Sequence, residues 1–266
     1  MNRLFSFFLV LLLLFAISPV ADAGVIYFYS PELNVDSFSS LKTAFDNYLA
    51  GFGDYQFQPF KDKETFEKYV NTKKDGVFLV SSWYYLMIKD SVKIRPVMVG
   101  QSKGRSVQKR VLVANKKAGS VDKLRGSKLA ASGTQEYTRE VLRQILGDKK
   151  DMADSVRVLI VPKDIDALMS LGFGLADYAL TTDNSFEKLP AINQEVYNST
   201  VKLLQSDDIM LPVILVSDTE TVNFDGNSLL KIIEKMGSDT EGAKVMKMMG
   251  LDKFKRLNQS EVKALE

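Results

Sequence analysis

The residues best placed to do chemistry lie where short apolar runs give way to small, hydroxyl-bearing residues. The first such junction is Ser132-Gly133-Thr134, inside RGSKLAASGTQEYTREVL at residues 125–142. Ser132 with Gln135 satisfies a serine-x-x-glutamine capping box, and Gly133 eases the turn. The same stretch also offers free backbone N–H groups and two hydroxyls at a helix start, an arrangement that receives an anion. A hydroxyl can serve cap or ligand, so both readings stand. The second junction is Ser81-Ser82-Trp83-Tyr84-Tyr85, after the apolar run 76–80. It reads as a helix start whose aromatics turn into the core, or as a cleft wall whose rings present polar tips to a ligand. Thr181-Thr182-Asp183-Asn184 is the third. Asp183 there can receive a ligand amine or hydroxyl, or the segment is a solvated turn.

None of this is catalytic chemistry. The chain has no histidine and no cysteine, which removes histidine-based triads, histidine acid–base catalysis and most zinc or copper sites. No close pair of acids stands at a strand end, and no nucleophile–base pair is visible. The sequence therefore calls for no enzyme activity, no cofactor and no metal. The methionines at 246, 248 and 249 read as helix packing rather than a copper site. Thirty-five basic against thirty-three acidic residues leave a net charge of +2, which gives nucleic acid no field to follow. The basic run 103–117 is read as a solvated face and a hinge strand.

The elements that position these junctions follow from hydrophobic periodicity. Residues 1–23 carry Arg3, an apolar run over 4–17, the breaker Ser18-Pro19 and the small residues Ala21 and Ala23. That pattern predicts a secretory signal peptide cleaved after Ala23, with no cysteine for lipid attachment, and so a periplasmic protein. Without disulfides the fold must rest on a full core. Strands are expected at 25–29, 55–60, 76–80, 94–99, 110–114, 128–131, 156–161, 177–181 and 210–216. Helices are expected at 36–50 with Asp36 or Ser37 as cap, then at 63–70, 121–124, 134–146, 164–171, 224–236 and 239–249. Strands alternating with helices indicate an α/β protein.

The order of these pieces resembles the type II periplasmic binding proteins. Within them it is most similar to the phosphate/phosphonate-binding receptors of ABC transporters. The resemblance rests on four elements: Asp75 to Tyr84, a buried strand ending in a binding turn; Asp122 to Gly126 leading into Ala130-Ala131-Ser132-Gly133-Thr134; Gly174 to Ala179; and Gly250 to Phe254. It implies two α/β lobes, each a central sheet flanked by helices, joined by two crossing hinge strands near 102–111 and 205–211. Lobe one would be 24–104 plus 208–266, and lobe two 105–207. Ligands of such folds sit between the lobes, at strand C-terminal ends and helix N-termini, and the lobes close by hinge bending.

The resemblance also places Tyr29-Ser30, at the end of the first strand, on the same cleft. The expected ligand-binding set is therefore Tyr29, Ser30, Ser81, Ser82, Trp83, Tyr84, Ser132, Gly133, Thr134, Gln135, Thr182 and Asp183. The implied function is a monomeric periplasmic receptor that hands a small oxyanion-bearing, phosphonate-like molecule to an inner-membrane transporter. Phosphonate-binding relatives carry a richer hydroxyl run; here two alanines precede one serine and one threonine. That difference keeps a second cargo open, a lipophilic molecule with one polar end among Phe28, Tyr29, Trp83, Tyr84 and Tyr85. A third reading is a ligand sensor that docks on a membrane signalling receptor.

Overall fold

A computed structural model describes residues 24–33, 38–72, 76–117, 119–217 and 226–266. The expected leader at 1–23, the cap at Asp36 or Ser37 and the helix start at Phe224 lie outside them. Strand β1 (Gly24–Tyr29) shows how the first lobe is built. Ile26 and Phe28 enter one buried cluster, while Tyr27 and Tyr29 enter another on the opposite face. A strand apolar on both faces needs helices on both.

The chain continues through α1 (Phe38–Leu49), β2 (Tyr55–Pro59), α2 (Lys63–Thr72), β3 (Val77–Val80), α3 (Ser82–Ile88), β4 (Ile94–Gln101), β5 (Val107–Gln108) and β6 (Arg110–Asn115). Next come β7 (Lys128–Ala131), α4 (Gln135–Leu146), α5 (Met152–Ser155), β8 (Arg157–Ile160), α6 (Asp164–Gly172), β9 (Tyr178–Thr182), α7 (Asp183–Ile192), α8 (Gln194–Ser199) and β10 (Thr200–Gln205). It closes with β11 (Ile209–Met210), β12 (Val213–Ser217), α9 (Gly226–Lys235), α10 (Thr240–Met248), β13 (Lys253–Arg256) and α11 (Gln259–Leu265).

These elements form two lobes. The first holds a six-stranded sheet in the order β13-β4-β12-β3-β1-β2, the second a five-stranded sheet in the order β10-β6-β9-β7-β8. In the first, β1 runs parallel to β2 and β3, while β12 is antiparallel to β3 and β4. In the second, β7 runs parallel to β8 and β9, and β6 lies antiparallel to β9 and β10. Between the lobes the chain crosses twice, and the crossings pair as the short antiparallel ladder β5–β11.

Each sheet is covered on both faces. Phe38, Leu41 and Phe45 of α1 pack with Leu229, Ile233, Val245 and Met246 on one side of the first sheet. Phe45 stacks on Phe57 with ring centroids 4.0 Å apart and planes nearly parallel. Phe66 and Val70 of α2, Tyr84, Tyr85 and Ile88 of α3, and Leu265 of α11 cover the other side. In the second lobe α4 covers one face and α6, α7 and α8 contribute to the other.

The expected strand over 210–216 is interrupted. Leu211-Pro212 separates β11 from β12, because Pro212 has no N–H to give a ladder; its carbonyl instead accepts from the Gly100 N–H at 2.8 Å. Residues 183–205, which show no clear period, contain α7, α8 and the edge strand β10. The tail after Met249 supplies the edge strand β13 and α11.

Close packing at the base of lobe one yields a direct prediction. A Cβ added to Gly237 would stand 2.5 Å from the Asp252 carbonyl oxygen and 2.5 Å from the Lys253 Cβ. Gly237→Ala is therefore expected to destabilise the protein by about 1–3 kcal/mol through overpacking against backbone. Urea unfolding measures this, and a midpoint equal to wild type would show that β13 can shift freely.

Candidate ligand site at the lobe interface

Strand direction brings the site together. Ser30, Ser81 and Ser132 directly follow β1, β3 and β7, and Thr182 ends β9, so the parallel strands of each lobe deliver small polar residues at their C-terminal ends. β6 runs antiparallel to β9 with Arg110 opposite Thr182, which sets the first residue of β6 at that same edge. Asp164 opens α6, just beyond the end of β8.

Arg110 is the centre of the arrangement and is only 4% exposed. Its Nη1 donates to Asp164 Oδ1 at 2.9 Å, and its Nη2 donates to Glu32 Oε2 at 3.1 Å. Its guanidinium carbon lies 5.4 Å from the centre of the Tyr137 ring, a cation–π contact. Ser132 Oγ donates to the same Asp164 Oδ1 at 2.7 Å. Glu32 sits in the turn after β1 in lobe one, while the other members belong to lobe two. The ion pair therefore bridges the lobes. Beside it the Thr134 N–H donates to the Pro31 carbonyl at 2.8 Å, a second bond across the same seam. Trp83 meets Tyr137 edge-on with centroids 5.0 Å apart, a third interlobe contact.

Burial would lower the hold of Arg110 on its proton, but Asp164, Tyr137 and Glu32 more than offset it, so the guanidinium stays charged. For Glu32 burial wins: it pushes the carboxyl above its ordinary 4.5, and Arg110 offsets this only in part. A raised folded value means that the contribution of Glu32 to stability is fully present below about pH 4.5 and is lost as pH rises through that raised value. Glu32→Gln, which keeps the shape without the charge, is thus expected to melt at or above wild type near neutral pH. That margin should close as the pH falls towards 4.5. Melting curves across this range decide it: a neutral-pH advantage for wild type would reverse the sign.

The structure brings some expected residues together and sends others elsewhere. Ser30, Ser81, Trp83, Ser132, Gly133 and Thr134 gather at the seam. The expected capping box does not form: Thr134, not Ser132, caps α4, its Oγ1 accepting from the Tyr137 N–H at 3.2 Å. Ser132 turns instead to Asp164. Ser81 caps α3 by accepting from the Tyr84 N–H at 3.2 Å, and Ser30 Oγ accepts from the Glu32 N–H at 3.4 Å.

Tyr29 and Tyr84 are buried in the lobe-one core, because α2 and α3 cover that face of the sheet. Their rings meet at 4.7 Å, and the Tyr84 hydroxyl donates to Glu67 at 3.0 Å. Ser82 Oγ donates to the Met210 carbonyl at 2.5 Å, fastening α3 to the hinge strand. Gln135 is exposed. Thr182 caps α7, and Asp183 is held by the Lys109 N–H and by Arg105 across the start of the hinge. The aromatic wall expected from Phe28, Tyr29, Trp83, Tyr84 and Tyr85 thus reduces to Trp83, since the other four are core residues. A lipophilic cargo loses its support with them.

The sequence reading missed Glu32, Arg110, Tyr137 and Asp164 as site residues. The reading of 103–117 as a solvated face and a hinge strand fails at Arg110, the buried first residue of the strand expected at 110–114. The available signal was one arginine heading the apolar run Val111-Leu112-Val113-Ala114, which β9 and β10 flank on both sides.

Two α/β lobes, each a sheet flanked by helices, joined by two crossings of the chain, are the fold of a type II periplasmic binding protein. A sequence family described as the periplasmic substrate-binding protein of phosphonate ABC transporters matches residues 23–262, and the chain belongs to it. Proteins of this family are receptors rather than enzymes: in the periplasm they bind a small molecule and deliver it to a membrane transporter.

Solved structures agree on the fold. A binding-protein component of an ABC phosphonate transporter from Pseudomonas aeruginosa is 15% identical, with a TM-score of 0.63 over 91% of this chain and 84% of that one. PhnD1 from Prochlorococcus marinus in complex with methylphosphonate is 12% identical, with a TM-score of 0.64 over 92% and 96%. XAC2383 from Xanthomonas citri bound to ATP is 13% identical, with a TM-score of 0.62 over 91% and 95%. A search of curated proteins found no match.

Proposed function

We infer that this receptor takes a small molecule bearing a phosphonate-like oxyanion, held at the seam between lobes by Ser30, Ser81, Trp83, Ser132, Gly133 and Thr134. The observation that carries this reading is the buried, charged Arg110 at the converging strand ends, beside the N-terminus of α4. Positive charge and an amide-rich helix start both favour an anion. Lobe one is taken as 24–104 plus 208–266 and lobe two as 105–207, hinged at the β5–β11 ladder. The receptor acts as a monomer, and export removes residues 1–23. An intact mass beginning at Gly24, with a monomeric mass by light scattering, checks these two points.

Thermal shift tests the ligand class. Methylphosphonate, phosphate and methanesulfonate are each added to purified protein. A ligand present at a hundred times its dissociation constant stabilises the protein by about 2.7 kcal/mol, a rise of several degrees. No rise with any of the three, at concentrations up to the millimolar range, would overturn the oxyanion reading.

A further inference from the structure

The anion position beside Arg110 is filled by the protein itself. Glu32 Oε2 takes the Nη2 bond, and the Pro31 carbonyl takes the first free amide of the α4 start. The fit is incomplete. Arg110 Nε, the Tyr137 hydroxyl and Glu32 Oε1 are buried and make no hydrogen bond of full geometry among the described residues, although the guanidinium adjoins the Tyr137 side chain and Ser81 adjoins Glu32. All three belong to one cluster, whose members Arg110, Glu32 and Tyr137 are 4%, 7% and 1% exposed. Buried polar atoms are nearly always paired, so three orphans in one place mark a group made for another partner.

We propose that Glu32 is a built-in stand-in for the ligand's oxyanion, and that the ligand binds by displacing Glu32 from Arg110. This rests on the oxyanion reading above and names its chief recognition residues. Arg110 Nη2, Arg110 Nε and the Tyr137 hydroxyl are three donors, of which the Glu32 carboxylate satisfies one. A three-oxygen head group of the phosphonate or sulfonate type carries an acceptor for each. A planar guanidinium suits such a head group better than a point charge does. Moving the Pro31-Glu32 turn aside also releases the Thr134 N–H to the incoming anion. Asp164, bonded to both Arg110 and Ser132, is a positioning residue: it holds the guanidinium in place once Glu32 leaves.

Glu32 then sets affinity by competition. Every ligand must first break the Glu32–Arg110 bond and must overcome the repulsion of that carboxylate. Removing the side chain removes both costs.

Calorimetric titration with methylphosphonate tests this on wild type, Glu32→Ala, Glu32→Gln and Arg110→Lys. Glu32→Ala is expected to bind at least about tenfold more tightly than wild type and Glu32→Gln to fall between them. Arg110→Lys, which keeps the charge but loses the planar fork, is expected to bind at least about tenfold more weakly. Methylphosphonate binding that is the same in all four proteins overturns the assignment and leaves the receptor reading intact. Tighter binding by wild type than by Glu32→Ala also overturns it, since Glu32 would then be a ligand contact. Failure of wild type to bind methylphosphonate, phosphate or methanesulfonate overturns the oxyanion reading, and this assignment with it.

Discussion

Arg110→Met is expected to destabilise the protein by about 3–5 kcal/mol, the largest loss from any single substitution at the interface. The reason is what remains behind. Arg110 is the partner of two carboxylates, Glu32 from one lobe and Asp164 from the other, and Glu32 is buried. Methionine fills the volume but leaves Glu32 without its cation in a medium that punishes bare charge. Asp164 keeps the Ser132 hydroxyl and some access to water, so its share is smaller. Urea unfolding of wild type, Arg110→Met and the double variant Arg110→Met/Glu32→Gln measures this. The double variant should recover part of the loss, because the stranded charge is gone. A single variant within about 1 kcal/mol of wild type would mean that the cluster relaxes into water on opening.

The second large effect is geometric. Gly133 has φ +85°, and an added Cβ would lie 2.5 Å from the Pro31 carbonyl oxygen and 3.0 Å from two backbone carbons of Glu32. The left-handed backbone alone costs an alanine about 1–2 kcal/mol. The contact costs more, because backbone cannot swing away as a side-chain tip can. Relief comes only by moving the turn after β1 away from the start of α4, which separates the lobes at the seam. Gly133→Ala is therefore expected to enlarge the radius of gyration of the ligand-free protein in small-angle X-ray scattering. Its far-UV circular dichroism should stay the same, since the contact joins two turns that lie outside the ladders of both sheets. A scattering profile superimposable on wild type would show that the turn yields locally.

Much of this fold was legible in the sequence because its strands are short apolar runs ending in polar punctuation. Gly76 to Val80 before Ser81, and Lys128 to Ala131 before Ser132, announce both the strands and the turns that follow them. The helix over 38–49 shows in the spacing of Phe38, Leu41, Phe45 and Leu49. Elements with weak period were lost: β10 carries Lys202 in an edge position, and α7 contains Pro190.

The site was half legible. Hydroxyls at strand ends announce themselves, whereas the burial of Arg110 depends on β6 lying inside the sheet, and no local pattern encodes that. Among Lys103, Arg105, Lys109, Lys116 and Lys117, one more cation looks solvated. Asp164 looked like an ordinary first-turn acid, which suits a helix start on its own account. Glu32 stands in a turn with no period at all, and its partner lies seventy-eight positions downstream. Tyr29 and Tyr84 erred in the opposite sense: a strand end suggested a cleft, but two helices roof that face.

The strand order carries a consequence for assembly of the nascent chain. Strands β6 to β10 complete their sheet from one continuous stretch, whereas β12, wedged between β3 and β4, is made only after that stretch is finished. Before β12 arrives, the first lobe consists of a three-stranded piece and a separate β4, with much of its oily interior unroofed. A polypeptide bound for the periplasm can thus finish its middle portion before the lobe that holds both its ends, and stays unable to lock its native form until its last strands emerge.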